Sequence, residues 1–260
     1  FSESVTLPSW TSAFVFAAPV YVSGLYAEVT SQSNSHIITC ERTECFLNNV
    51  KVATNYANVL RAVTDGTSPV KLIINNLFVD TGGDLIYPDI SGTAVVTDIV
   101  IRNAFINRIS KVPADNRFRM YLHGVYINNV SVPDTSGLIH ITGGSHVIRS
   151  VDGACQYGGT GWGACIRIED SAGPVDVEID GVRLIGSSTG TPSLGILVLN
   201  RYNTNSASVV VARNLKSRVS GAGYDVYDAS SAGMLYLFGH DIKSKYVANA
   251  ALVKEISPIA

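Results

Sequence analysis

The sequence is poor in most of what announces a familiar chemistry. Its 260 residues include four cysteines, two methionines and two tryptophans, and charged residues make up only 15%. Low charge with a formal net charge of -2 lacks the electrostatic footprint of a nucleic-acid binder, so no nucleic-acid partner is expected. The most apolar run, AFVFAAPVYVSGLYA at 13–27, is too short for a bilayer and is broken by Pro19 and Gly24; no membrane insertion is expected. Helical periodicity is almost absent: NYANVLRAVTDG (55–66) fits a short helix, but it also scans as a strand. No Asn-Gly dipeptide marks a two-residue hairpin, which weakens the case for an antiparallel sandwich or barrel.

The cysteines fall into two local pairs, Cys40/Cys45 and Cys155/Cys165. Such pairs suit two small disulfide-closed loops in an extracellular or virion setting, with buried free thiols as the alternative. His36, Cys40 and Cys45 lack the further ligand that completes a tetrahedral zinc set, and neither a metal nor a cofactor is expected.

What the sequence does contain is hydrophobic residues, at 46%, arranged in a repeat. Seven segments share one pattern of alternating strand, turn at Asn or Gly, and second alternating strand. They are VKLIINNLFVD (70–80), TDIVIRNAFIN (97–107), FRMYLHGVYIN (118–128), SGLIHITGGSHVI (136–148), PVDVEIDGVRLIG (174–186), ASVVVARNLKSRV (207–219) and GMLYLFGHDIKSK (233–245). The turns fall at Asn76, Asn103, Gly124, Gly143, Gly181, Asn214 and Gly239, residue types that tolerate a left-handed backbone. Several units are preceded by a third short strand, such as CIRIED (165–170) and LGILVLN (194–200). Spacings of about 20–40 residues are those of a solenoid. The expected fold is therefore all-β: a right-handed parallel β-helix over 36–250, with an irregular N-terminal cap segment (1–35) and a C-terminal tail (251–260).

This grammar resembles the parallel β-helix proteins of the pectin-lyase-like superfamily. Within them, the Ser/Thr/Asn/Gly-rich units look most like phage tail spikes and fibres. The resemblance implies a homotrimeric, extracellular or virion-borne protein that binds, and often cleaves, bacterial surface polysaccharide. The superfamily's catalytic signatures are not intact: FGHDIKSK (238–245) keeps Gly239-His240 but has Asp241 in place of the second glycine. A secreted polysaccharide lyase or hydrolase, and a purely structural β-helix, remain as alternatives.

Aligning the units at their turns stacks outward residues into columns. One column runs Asn75, Arg102, His123, Thr142, Asp180, Arg213, Phe238, and another Ile73, Val100, Tyr121, His140, Glu178, Val211, Tyr236. They gather candidates: Glu178 and Asp180 as an acid/base pair one strand step of roughly 6.6–7 Å apart, His140 and Tyr121 as proton movers, and Arg102 as a charge clamp. His123 and Asp176 are flanking ligand contacts. Asp176, Glu178 and Asp180 equally fit the solvated side of a structural strand. The glycine-rich loop GACQYGGTGWGAC (153–165) offers Tyr157 and Trp162 for stacking on a sugar, the alternative being an excursion with an aromatic folded back as a lid. A third column, Phe78, Phe105, Tyr126, His146, Arg183, Lys216, stacks three aromatics outward, which a trimer seam, a covering loop or N-terminal segment, or a stacked sugar would each bury.

Overall fold

The computed structural model describes residues 4–7, 11–31, 35–54, 57–64, 68–90, 97–109, 111–132, 137–157, 163–188, 196–219, 224–242 and 244–256. These residues form strands in three sheets of 13, 6 and 4 strands, with one short 3-10 turn at Ala250–Leu252 and no α-helix. Pairing is parallel in each sheet, which removes the antiparallel alternative.

Parallel neighbours cannot be joined by a tight hairpin and need a crossover. Here the crossover is another strand. Lys71–Asp80 of the long sheet is followed by Ile86–Ile90 of the four-stranded sheet, then Thr97–Arg108 of the long sheet. Val112–Ala114 of the six-stranded sheet comes next, then Phe118–Ser131, again in the long sheet. The chain thus returns to the long sheet one strand further along at each pass.

Strands of the long sheet bend at one aligned position, occupied by Gly24, Asn49, Asn76, Asn103, Gly124, Ser150, Gly181, Asn214 and Gly239. All of them have φ between +53° and +76°. Asparagine and glycine tolerate this conformation best. The asparagines also bond to one another along the corner: Asn76 donates to Asn49 Oδ1 at 3.0 Å and Asn103 to Asn76 Oδ1 at 3.3 Å. Six of the seven expected turn residues occupy the corner. Gly143 does not; its place is taken by Ser150.

That exchange corrects one whole unit. Gly137–Ile141 belongs to the six-stranded sheet, and Gly144–Tyr157 supplies the long-sheet strand. The residues around Gly143-Gly144 mimic a corner because they too join two alternating apolar stretches. The cap and tail ranges also contribute strands. Val20–Ser31 pairs with Glu44–Thr54, and Val253–Ile256 pairs with Met234–Phe238.

Inward residues stack in register. Leu72, Ile99, Met120, His146, Val177, Val210 and Leu235 form one buried column; Ile74, Ile101, Leu122, Ile148, Ile179, Ala212 and Leu237 form the next. Side chains from all three sheets share one core. Each large aliphatic buried there contributes roughly 1.5–3 kcal/mol. His146 was expected outside, beside Tyr126. It faces the core instead, where Nε2 donates to Gly143 O at 2.7 Å and Nδ1 accepts from Met120 N–H at 3.2 Å. Burial pushes its pKa down.

Among the described residues, the core holds an ion pair that the sequence did not disclose. Arg201, fully buried, places Nε 3.1 Å from each oxygen of buried Asp228. Cys40 and Cys45 form a buried disulfide where the chain passes from the four-stranded to the long sheet. The second expected bridge is absent: Cys155 and Cys165 are buried free thiols. Burial foremost, then a hydrogen bond with Cys155, pushes the Cys165 thiol well up, so it stays protonated.

Candidate functional site

The outer face of the long sheet, just before the corner, carries most of the predicted site. Strand register sets Arg102, His123, Arg149, Asp180 and Arg213 side by side on consecutive strands. Two residues earlier the column runs Val100, Tyr121, Val147, Glu178, Val211. Period-2 alternation aims both columns outward while Ile101, Leu122, Ile148, Ile179 and Ala212 point into the core.

Arg102, Tyr121 and His123 line a groove of about 360 Å³ with Asp98, Arg149 and the apolar floor of Val100 and Val147. Asp98 is held at one edge by a two-pronged contact from Arg119, Nε to Oδ1 at 2.7 Å and Nη2 to Oδ2 at 3.1 Å. That hydrogen bond raises the Arg119 pKa. The side chains of Arg102 and His123 are exposed and make no hydrogen bond or ion pair among the described residues. A guanidinium and an imidazole with uncommitted donors, beside a phenol, are equipped to receive a carboxylate and neighbouring hydroxyls.

The three carboxylates of Val175–Asp180 are more committed. Glu178 Oε1 accepts from Arg149 Nη2 at 2.9 Å and Arg213 Nη1 at 3.3 Å. Asp180 accepts from Asn214 Nδ2 at 2.8 Å, and Asp176 from Ser145 Oγ at 3.4 Å. Arg213 also lies 5.4 Å from the Phe238 ring centroid. The row is a ladder of hydrogen-bonded side chains across strands, charge-paired at Glu178, with Arg102 and His123 at its open end.

His140 is not part of it. The column expected to hold His140 and Thr142 holds Val147 and Arg149 instead, because the corner lies at Ser150. His140 sits on the six-stranded sheet, where Nε2 donates to Glu169 Oε1 at 3.1 Å and Arg167 Nε donates to Oε2 at 2.9 Å. The His140 bond first, then Arg167, hold the Glu169 carboxyl down at about 2 against the opposing effect of burial. Nothing in the isolated strand GLIHI distinguishes one sheet from the other.

The glycine-rich loop changes its role as well. Tyr157 is only 1% exposed, its ring packed so closely on Gly163 that a Cβ there would stand 2.7 Å away. With both faces enclosed, Tyr157 offers no surface to a sugar. Trp162 lies outside the described residues.

One cluster escaped sequence reasoning. The Asp170 carboxylate accepts from the Thr204 and Asn205 amides at 2.9 and 2.7 Å and from the Ser208 hydroxyl at 2.9 Å. Burial pushes its pKa up, but these bonds together outweigh it and lower the pKa. The contacts clasp two loops together. Asp170 gave no signal in the sequence, because its partners lie more than 30 residues away.

Past the corner, the outward aromatics stack as expected: Phe78 on Phe105 at 5.3 Å between centroids, and Phe105 on Tyr126 at 5.4 Å. Lys51 extends the stack, with Nζ 5.5 Å from the Phe78 ring. After Tyr126 the column continues through Asp152, Arg183 and Lys216, Arg183 being bonded to Asp152. No protein-family model, curated protein or solved structure matches the chain.

Proposed function

We propose that the chain is a right-handed parallel β-helix of the tail-spike or fibre kind, displayed extracellularly or on a virion, that binds bacterial surface polysaccharide. Several features support the solenoid: parallel pairing in three sheets, return to the long sheet at every pass, a nine-residue column of left-handed corners and one shared core. The single observation that carries the binding reading is the groove at Arg102, Tyr121 and His123, whose guanidinium and imidazole have no partner among the described residues. The outward stack of Phe78, Phe105 and Tyr126 supports a homotrimer, since a seam between copies would cover it. Light scattering tests that assembly; a monomer removes it.

The binding test is retention of the protein on a panel of capsular and lipopolysaccharide preparations. Arg102→Gln loses retention, while the fold, followed by circular dichroism, is unchanged. Retention undiminished by Arg102→Gln sinks the groove assignment.

A second reading, cleavage by β-elimination, is favoured by the same trio. Arg102 would neutralise a uronate carboxylate, and His123 or Tyr121 would move the proton. It predicts the release of unsaturated ends absorbing in the near ultraviolet. Tight binding without such release leaves the binding function alone.

A further inference from the structure

From the order of side chains along the outer face that continues from the groove we infer that the ligand is an acidic polysaccharide with one carboxylate per disaccharide, not one on every sugar. The inference rests on the binding reading above and specifies its ligand. Register places Arg102, His123, Arg149, Asp180 and Arg213 on five successive strands at the same height. Neighbouring strands stand ~4.8 Å apart, about the length of one pyranose in an extended chain. Arginines therefore recur at every second strand, ~9.6 Å apart, about the length of a disaccharide.

The residues between them matter as much. Midway between Arg149 and Arg213 stands Asp180, which accepts the Asn214 amide through Oδ1 and presents a negative charge to the same face. A glycan carrying a carboxylate on each sugar would set one against Asp180, where like charges repel. A neutral sugar there offers hydroxyls, which a carboxylate accepts. Between Arg102 and Arg149 stands His123, which can both donate and accept when neutral and so suits hydroxyls too. Arg102 is uncommitted; Arg149 and Arg213 share the single Oε1 atom of Glu178, so each keeps donors for a ligand. The row reads arginine, histidine, arginine, aspartate, arginine, and the complementary polymer alternates.

Three hexasaccharides of equal length test this by titration calorimetry: alternating hexuronate and neutral sugar, all-hexuronate, and all-neutral. The alternating chain should bind at least about tenfold more tightly than the other two, the difference expected of one charge-assisted hydrogen bond. Asp180→Asn should raise affinity for the all-hexuronate chain and narrow its gap to the alternating one. Asp180 is half-buried on the outer face, and Asn keeps both its shape and an Oδ1 acceptor for Asn214, so the fold is kept. Equal or tighter binding of the all-hexuronate chain to the parent protein overturns this inference and leaves glycan binding standing. Tightest binding of the all-neutral chain does the same. Binding of none of the three overturns both.

Discussion

Asn103 donates its side-chain amide to the Asn76 carboxamide at 3.3 Å, and both residues hold φ near +55°. The left-handed backbone and the amide ladder reinforce each other, since the bend carries each carboxamide to a matching place on the next strand. Asn76→Ala removes a donor to Asn49, an acceptor for Asn103 and a residue suited to the bend. The expected loss is about 1–2 kcal/mol, read from the urea midpoint. Asn76→Gly keeps the backbone freedom and should lose less.

Ser150 is the corner residue that is neither Asn nor Gly, at φ 53°. Serine meets the left-handed penalty with no amide to offset it, whereas glycine meets none. Ser150→Gly should therefore stabilise the protein by about 0.5–1 kcal/mol, seen as a higher thermal midpoint. The same substitution in the middle of a regular strand destabilises, so the sign of the change distinguishes a corner from a strand interior.

Ser150 also marks the limit of what the sequence disclosed. The corner was legible wherever Asn or Gly occupied it between alternating apolar runs, as at Asn76, Asn103, Gly124, Gly181, Asn214 and Gly239. Alternation further fixed which residues of those strands face out, and so brought Arg102, Tyr121, His123, Glu178 and Asp180 to one face. A serine carries no such mark, so His140 was aligned beside Glu178 although it belongs to another sheet. Contacts between passes, such as Arg201 with Asp228 or Asp170 with Ser208, depend on loop lengths that composition does not encode.

Arg201 and Asp228 form a fully enclosed pair. Breaking it strands a charge in the core. Asp228→Asn should cost about 3–5 kcal/mol, because the guanidinium loses its counter-ion with no access to water. Replacing both at once, Arg201→Met with Asp228→Leu, should cost far less, since no uncompensated charge remains. Urea unfolding of Arg201→Met, Asp228→Leu and the double variant gives the coupling directly. Additive losses would mean the pair is not the unit described.

Stability should fall with pH in two stages, from different groups. His146 is buried, hydrogen-bonded as the neutral ring and held below its ordinary value of 6.5. Below pH 6.5 the unfolded chain takes up a proton at His146 that the folded chain refuses. Folding therefore weakens as pH falls toward the depressed folded pKa, by at most about 1.4 kcal/mol per pH unit. Asp115 opposes this by favouring the charged ring. Glu169 acts lower: its pKa is about 2 folded against 4.5 unfolded, so its contribution is complete above 4.5 and disappears toward 2. In His146→Gln the dependence between pH 5 and 7 should flatten while the acid stage persists. An unchanged slope between pH 5 and 7 would assign that stage to another group.

The four cysteines should divide two and two in a thiol titration. Cys40 and Cys45 are bonded to each other, whereas Cys155 and Cys165 are reduced, enclosed by the core and, at Cys165, kept protonated by burial. A thiolate-specific reagent needs both access and the deprotonated sulfur. The native protein should therefore react negligibly, urea should expose two thiols, and urea with a reductant should expose four. Reducing Cys40–Cys45 opens only a short loop, so the folded state should lose about 2 kcal/mol on the chain-entropy account and remain folded. Zero thiols in urea alone would mean that Cys155 and Cys165 are bridged after all.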